Sequence, residues 1–145
     1  MRYKITLQEH HGSWIYVIAF GKDTPTAIEE AAEYSDNCVS AEDLHGIRHS
    51  VYFKDGKIVQ IQLHEARRIL PHLDPERPES IRMPAMQAIL FGQPPVPTLL
   101  LSFKKEPPDN RVAYALSPNV FLVFHGDELA HLYVTDVYAV IADVD

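Results

Sequence analysis

One cysteine in 145 residues rules out an intrachain disulfide and a cysteine-built zinc cluster within one chain, and a reducing compartment is the simplest setting for it. Cys38 follows Asp36 and Asn37 with no cation beside it to favour a thiolate, so it reads as a structural thiol. Only 6 glycines are present, which leaves little material for a phosphate-cradling loop. No P-loop, Gly-x-Gly-x-x-Gly, Gly-x-Ser-x-Gly or EF-hand pattern occurs. Positive charge is scarce as well: 13 Lys and Arg face 20 Asp and Glu, a net charge of −7. That balance argues against nucleic acid as a partner, because phosphate backbones are bound by clustered cations. The nearest basic cluster, Arg67, Arg68, Arg77 and Arg82, is interleaved with Glu65, Asp74, Glu76 and Glu79 and reads as a solvated, ion-paired face. No apolar run approaches the ~20 residues of a membrane-spanning helix. The opening MRYKITLQEHHG alternates polar with apolar residues, unlike a signal peptide, and a cytoplasmic location is expected.

What is present suits a globular protein. With 46% hydrophobic residues the chain can fill one core, so residues 1–145 are expected to form a single domain. Seven of the 11 prolines fall between Pro71 and Pro97, and 71–97 is where two subdomains would part. Tyr3, Ile5 and Leu7 alternate with polar residues, and Trp14 to Phe20 is almost wholly apolar. A two-residue turn at His11-Gly12 then sets Leu7 opposite Tyr16, Ile5 opposite Ile18 and Tyr3 opposite Phe20. Thr24-Pro25 reads as the start of a helix through TAIEEAAEY, and SAEDLHG as a further short turn capped by Ser40 with Asp43 in third position. Asp55-Gly56 marks a second hairpin. HEARRIL is another helical segment, and the order hints at duplicated ββα units, although the halves share no alignable residues. Pro84 should start a helix through PAMQAILFG, with Met86, Ile89 and Leu90 on one side. From Val96 the chain reads as a β-meander: VPTLLLSF, RVAYALS, VFLVF, LAHLYVTD and VYAVIAD, with a bend at Asp136. The expected class is α+β: hairpin-rich antiparallel sheets with two to four short helices and a C-terminal β-meander.

Eight histidines invite a search for metal or acid-base chemistry. His10 and His11 fall in a turn, where solvent exposure explains them. His45 and His49 have the spacing of one helix face, but Gly46 breaks that helix, and no Glu follows His45 as a zinc-protease pattern requires. His64 and His72 have Pro71 between them and no pairing rule. The best remaining candidate is FHGDELAH, with His125, Asp127, Glu128 and His131. A two-residue turn at Gly126-Asp127 would pair His125 with Glu128, Phe124 with Leu129 and Leu122 with His131, placing the two histidines on opposite faces. A bulge would return them to one face.

Met1-Arg2-Tyr3, Gly12-Ser13-Trp14, and Asp23-Thr24 leading to Glu29-Glu30-Ala31 resemble the strand-strand-helix opening of HicB-type antitoxins. The resemblance covers the first quarter of the chain. It lacks the family's Pro-Gly element after the second strand, and nothing downstream reads as a DNA-binding tail. The expected function is a non-enzymatic protein-interaction module, an inhibitor, antitoxin-like or accessory factor, acting through a sheet edge or an aromatic face at Trp14 or Tyr16. Its partner would be another protein or a second copy of itself. Two alternatives are a metal-dependent hydrolase or metal-binding protein built on the 125–131 hairpin, and a small-ligand-binding domain. No catalytic, cofactor-binding or metal residue is assigned and no cofactor is expected.

Overall fold

His11 and Gly12 both carry positive φ, 51° and 83°, the backbone of a type I′ turn whose twist matches the strands it joins. This turn links β1 (Tyr3–His10) to β2 (Ser13–Phe20), and the register sets Leu7 opposite Tyr16, Ile5 opposite Ile18 and Tyr3 opposite Phe20, as the alternation of the two runs requires. A computed structural model describes residues 3–43, 45–65, 88–91, 98–102, 112–125 and 128–142. The remaining strands are β3 (Asn37–Glu42), β4 (Arg48–Lys54), β5 (Lys57–Leu63), β6 (Ala88–Phe91), β7 (Thr98–Ser102), β8 (Val112–Ser117), β9 (Val120–His125) and β10 (Glu128–Val134). They form two antiparallel five-stranded sheets, ordered β1-β2-β5-β4-β3 and β6-β7-β10-β9-β8. Two short helices complete the described residues: α1 (Ile28–Tyr34) and α2 (Val137–Val140).

The two sheets share one core. Tyr16, Ile18, Phe20, Val51, Ile61 and Leu63 of the first belong to the same buried cluster as Leu99, Leu122, Phe124, Leu132 and Val134 of the second. β8 runs against β3 and β4. The opposite face of the first sheet mixes buried Ile15, Val17 and Ala19 with polar side chains and is closed differently. Gln8 donates to the Thr26 carbonyl (2.6 Å), Gln60 to the Pro25 carbonyl (2.9 Å) and Gln62 to the Ile28 carbonyl (3.3 Å). These amides satisfy backbone groups that the chain buries as it crosses the sheet. Gln60 and Gln62 are themselves buried and joined at 2.6 Å.

Several elements differ from the reading of the sequence. The first helix begins at Ile28 with Ala27 as N-cap, not at Pro25: Thr24 donates to the Phe20 carbonyl, while the Pro25 and Thr26 carbonyls are taken by the glutamines. SAEDLHG is the end of strand β3 followed by a turn, because Ser40 and Ala41 pair with Ser50 and His49. Ala88–Phe91 is strand β6, paired with β7, where a helix from Pro84 was expected; cross-strand pairing overrides the helix propensity of a four-residue apolar run. VYAVIAD is not a strand either. Asp136 adopts φ 54° and ψ 51°, which turns the chain into α2, and Lys57 Nζ donates to the Tyr138 and Ala139 carbonyls (3.1 and 2.6 Å) at its end. HEARRIL beyond Glu65, Met86 and the mixed-charge stretch from Arg67 to Arg82 lie outside the described residues.

The second hairpin turn is also type I′, with φ of 52° at Asp55 and 77° at Gly56. A Cβ on Gly56 would meet nothing within 4 Å, so Gly56→Ala carries only the backbone cost of a left-handed residue. The expected loss of unfolding free energy is about 1–2 kcal/mol, read by urea denaturation with an unchanged m-value.

Candidate functional site at the histidine-rich end of the first sheet

The β1–β2 turn, the end of β3, the start of β4 and the end of β5 lie at the same end of the first sheet. This gathers His10, His11, His45, His49 and His64, which are far apart in sequence. The centre of the group is a buried acid–imidazole pair. Asp43 Oδ2 and His49 Nε2 are 2.7 Å apart, with both side chains 0% exposed. The other carboxylate oxygen, Oδ1, accepts from the backbone N–H groups of His45 (2.8 Å) and Ile47 (3.1 Å). Asp43 thereby builds an Asx turn, closed by Gly46 donating to the Asp43 carbonyl at 3.0 Å.

His49 Nδ1 accepts from the backbone N–H of His64 (3.0 Å). That bond requires a lone pair on Nδ1, so the ring proton sits on Nε2 and is donated to Asp43. Burial lowers the pKa of His49 below the ordinary imidazole value, against the hydrogen bond and charge of Asp43, which raise it. The ring is neutral, oriented and fully engaged.

A catalytic histidine oriented by a carboxylate keeps its second nitrogen for the substrate. Here the second nitrogen is spent on the main chain. The pair acts as a clamp that ties the β3–β4 loop and β4 to His64, just past the end of β5.

His45 and His64 join the clamp through their backbone N–H groups, and their imidazoles have other surroundings. The His64 pKa is lowered by burial first, then by His49 and His10, while Glu65 raises it. His10 Nδ1 lies 3.8 Å from Glu29 Oε1 and packs edge-on against His11 at 4.1 Å. Ser13 Oγ reaches Glu65 Oε1 at 3.5 Å. The His45 ring packs edge-on against Phe124 of the second sheet, 5.1 Å between centroids. His45 and His49 therefore share no helix face: one seals the inter-sheet core and the other binds Asp43. Among the described residues, no group of three or more His, Cys, Asp or Glu is placed to hold a metal ion.

The FHGDELAH hairpin combines both geometries weighed from its sequence. His125 pairs with Glu128 and Phe124 with Leu129, leaving two residues between the strands, but the register then shifts between Leu129 and His131. His131 pairs with Val123, not with Leu122, because Ala130 is an unpaired bulge. The imidazole is buried, 6% exposed, edge-on to Tyr133 at 6.1 Å. The side chains of His125, Asp127 and Glu128, together with His72, lie outside the described residues.

Sequence reasoning missed the Asp43–His49 clamp, having placed Asp43 in a helical turn. The available signal was Asp-x-x-Gly between two β-prone runs, the pattern of a turn with Asp first and Gly fourth. The proposed aromatic anchors are occupied: Tyr16 is buried at 1% exposure and Trp14 packs against the core. Comparison with protein families, with characterised proteins and with solved structures finds no match to this chain. No helix of the described residues is long and apolar enough to cross a membrane.

Proposed function

We propose that this protein is a non-enzymatic interaction module, an inhibitor, antitoxin-like or accessory factor, that accepts a strand of another protein along β3. The observation that carries this reading is the character of that edge. β3 ends its sheet, and Asn37, Cys38, Val39, Ser40 and Glu42 are exposed. Its pairing with β4 runs through six residue pairs without a bulge. The strand contains neither lysine nor proline, the residues that commonly blunt an edge. Its one charge, Glu42, stands at the strand's end, 3.4 Å from Arg48. Val39, in the middle, is one of two exposed large hydrophobics among the described residues. Such a strand offers backbone hydrogen bonds for affinity and an apolar side chain for selectivity.

A lysine at position 39 tests this directly. Val39→Lys should leave the protein cooperatively folded, at a cost of about 1 kcal/mol because Val39 shares its face with buried Val51, and abolish cross-linked capture of the partner from the native host. Capture by the variant equal to wild type would contradict the reading. Light scattering of the isolated chain distinguishes a foreign partner, with constant mass on concentration, from a second copy, with rising mass.

A further inference from the structure

We infer that the chain is an internal duplication: two copies of one five-stranded unit, packed inner face to inner face, so that the partner each unit's inner face fits is a second copy of itself. The sheet orders β1-β2-β5-β4-β3 and β6-β7-β10-β9-β8 are the same topology repeated. Topology alone would be weak, but the registers coincide row by row. In the first sheet one row runs Ile5, Ile18, Ile61, Val51, Val39; in the second it runs Ala88, Leu101, Leu132, Leu122, Tyr114. The next row, Thr6, Val17, Gln62, Ser50, Ser40, corresponds to Ile89, Leu100, Tyr133, Phe121, Ala115. A third, Ala19, Gln60, Tyr52, Cys38, corresponds to Ser102, His131, Val123, Ala113.

The irregularities around the β4–β5 and β9–β10 hairpins repeat too, and a sheet has no general reason to repeat them; the slip at Leu116 between β8 and β9 has no counterpart between β3 and β4. Lys54 pairs with Lys57 across two residues, as His125 pairs with Glu128. Two pairs later each ladder slips by one residue, leaving Val59 unpaired in one hairpin and Ala130 in the other. Beyond the last strand of each unit stands a non-glycine residue of positive φ at the same position: Glu65 at 55° and Asp136 at 54°. Bulges and left-handed residues are position-specific features, so their coincidence identifies the repeat.

The packing follows from the repeat. A self-complementary face meets its copy through an isologous contact, in which equivalent elements lie around one axis. β3 and β8 are equivalent strands, and they lie against each other. Equivalent inner-face positions are buried in both units: Val51 and Leu122, Ile61 and Leu132, and Leu63 and Val134 are aliphatic in each, while Tyr16 corresponds to Leu99. Outer-face positions have diverged, Gln62 against Tyr133 and Ser50 against Phe121. The connections differ in length: the β2–β3 crossing, which carries α1, is longer than its β7–β8 counterpart, and Asp43 to Ile47 separates Glu42 from Arg48, where Pro118-Asn119 suffices between Ser117 and Val120. The Asp43–His49 clamp thus belongs to one copy alone.

Two measurements on the full chain test the duplication. A crystal structure of the full chain should superpose Ile5–Ile18 with Val51–Leu63 onto Ala88–Leu101 with Leu122–Val134 by a half-turn, with bulges at both Val59 and Ala130. A rotation far from a half-turn, or a bulge in one hairpin only, would overturn it. A full chain in which Val51–Leu63 and Leu122–Val134 are exchanged should retain a cooperative unfolding transition. The same exchange slipped by one residue, using Val123–Thr135, should lose it, since a slip turns each inner face outward. If the slipped exchange folds as well as the in-register one, the equivalence is wrong.

Discussion

Asp43→Ala lowers the free energy of unfolding by about 2–4 kcal/mol, because it leaves buried donors of a neutral imidazole and of the loop unsatisfied, at about 1–3 kcal/mol each before relaxation. The size follows from what the carboxylate holds. It accepts from the His45 and Ile47 backbone N–H groups and faces His49 Nε2, and alanine leaves all three donors without an acceptor in a site closed to water. Asp43→Asn should fall between alanine and wild type, at about 1–3 kcal/mol. Its amide oxygen can still accept from the loop, but its NH2 then faces the Nε2–H of His49. The imidazole cannot relieve that clash by changing tautomer, because His64 N–H already points at Nδ1. Urea denaturation of the three proteins gives the ranking. Equal stability of Asp43→Ala and wild type would show that the clamp is not what holds the β3–β4 loop.

Acid destabilises the protein in the window that begins near pH 6.5. The folded-state pKa of His49 is lowered from 6.5, chiefly by burial, so below that value the unfolded chain binds a proton that the native ring refuses. Stability is full above the unfolded pKa and is lost as pH falls through it, at up to about 1.4 kcal/mol per pH unit for the one proton. His64 acts in the same direction, its pKa lowered first by burial and then by His49 and His10, with Glu65 opposing. Carboxylates add their own loss only at lower pH. Stability measured in urea at pH 7.5, 6.5 and 5.5 should decline across the series. Imidazole nitrogen shifts should hold His49 as the Nε2–H tautomer until the protein unfolds. A flat profile, or His49 titrating near 6.5 in the folded protein, would contradict the assignment.

The first hairpin was legible because its two runs obey period-two alternation and its turn is His-Gly, leaving one register that keeps Tyr16, Ile18 and Phe20 inside. The second hairpin was legible through Asp55-Gly56 for the same reason. The slips at Val59 and Ala130 were not, since a bulge has no residue signature in KIVQIQL or ELAHLYV. The α1 start was misread because Thr24-Pro25 satisfies every local rule for a helix entry, while the groups that override it, Gln8 and Gln60, come from distant strands. The duplication escaped sequence comparison because the equivalent positions keep shape and not identity: Ile61 with Leu132 and Val51 with Leu122 serve the same core. As for the candidate site, the histidines could be counted but not placed. His49 stands in β4, whose register turns it toward Asp43, whereas His45 lies in the turn before that strand.

The central claim is that β3 is the working edge of this protein, and amide hydrogen exchange on the full chain with and without its cross-link-captured partner tests it most directly. The account predicts new protection concentrated on Asn37 to Glu42, with the clamp residues Asp43 and His49 unchanged. Protection confined to other segments, with β3 exchanging as in the free protein, would contradict it.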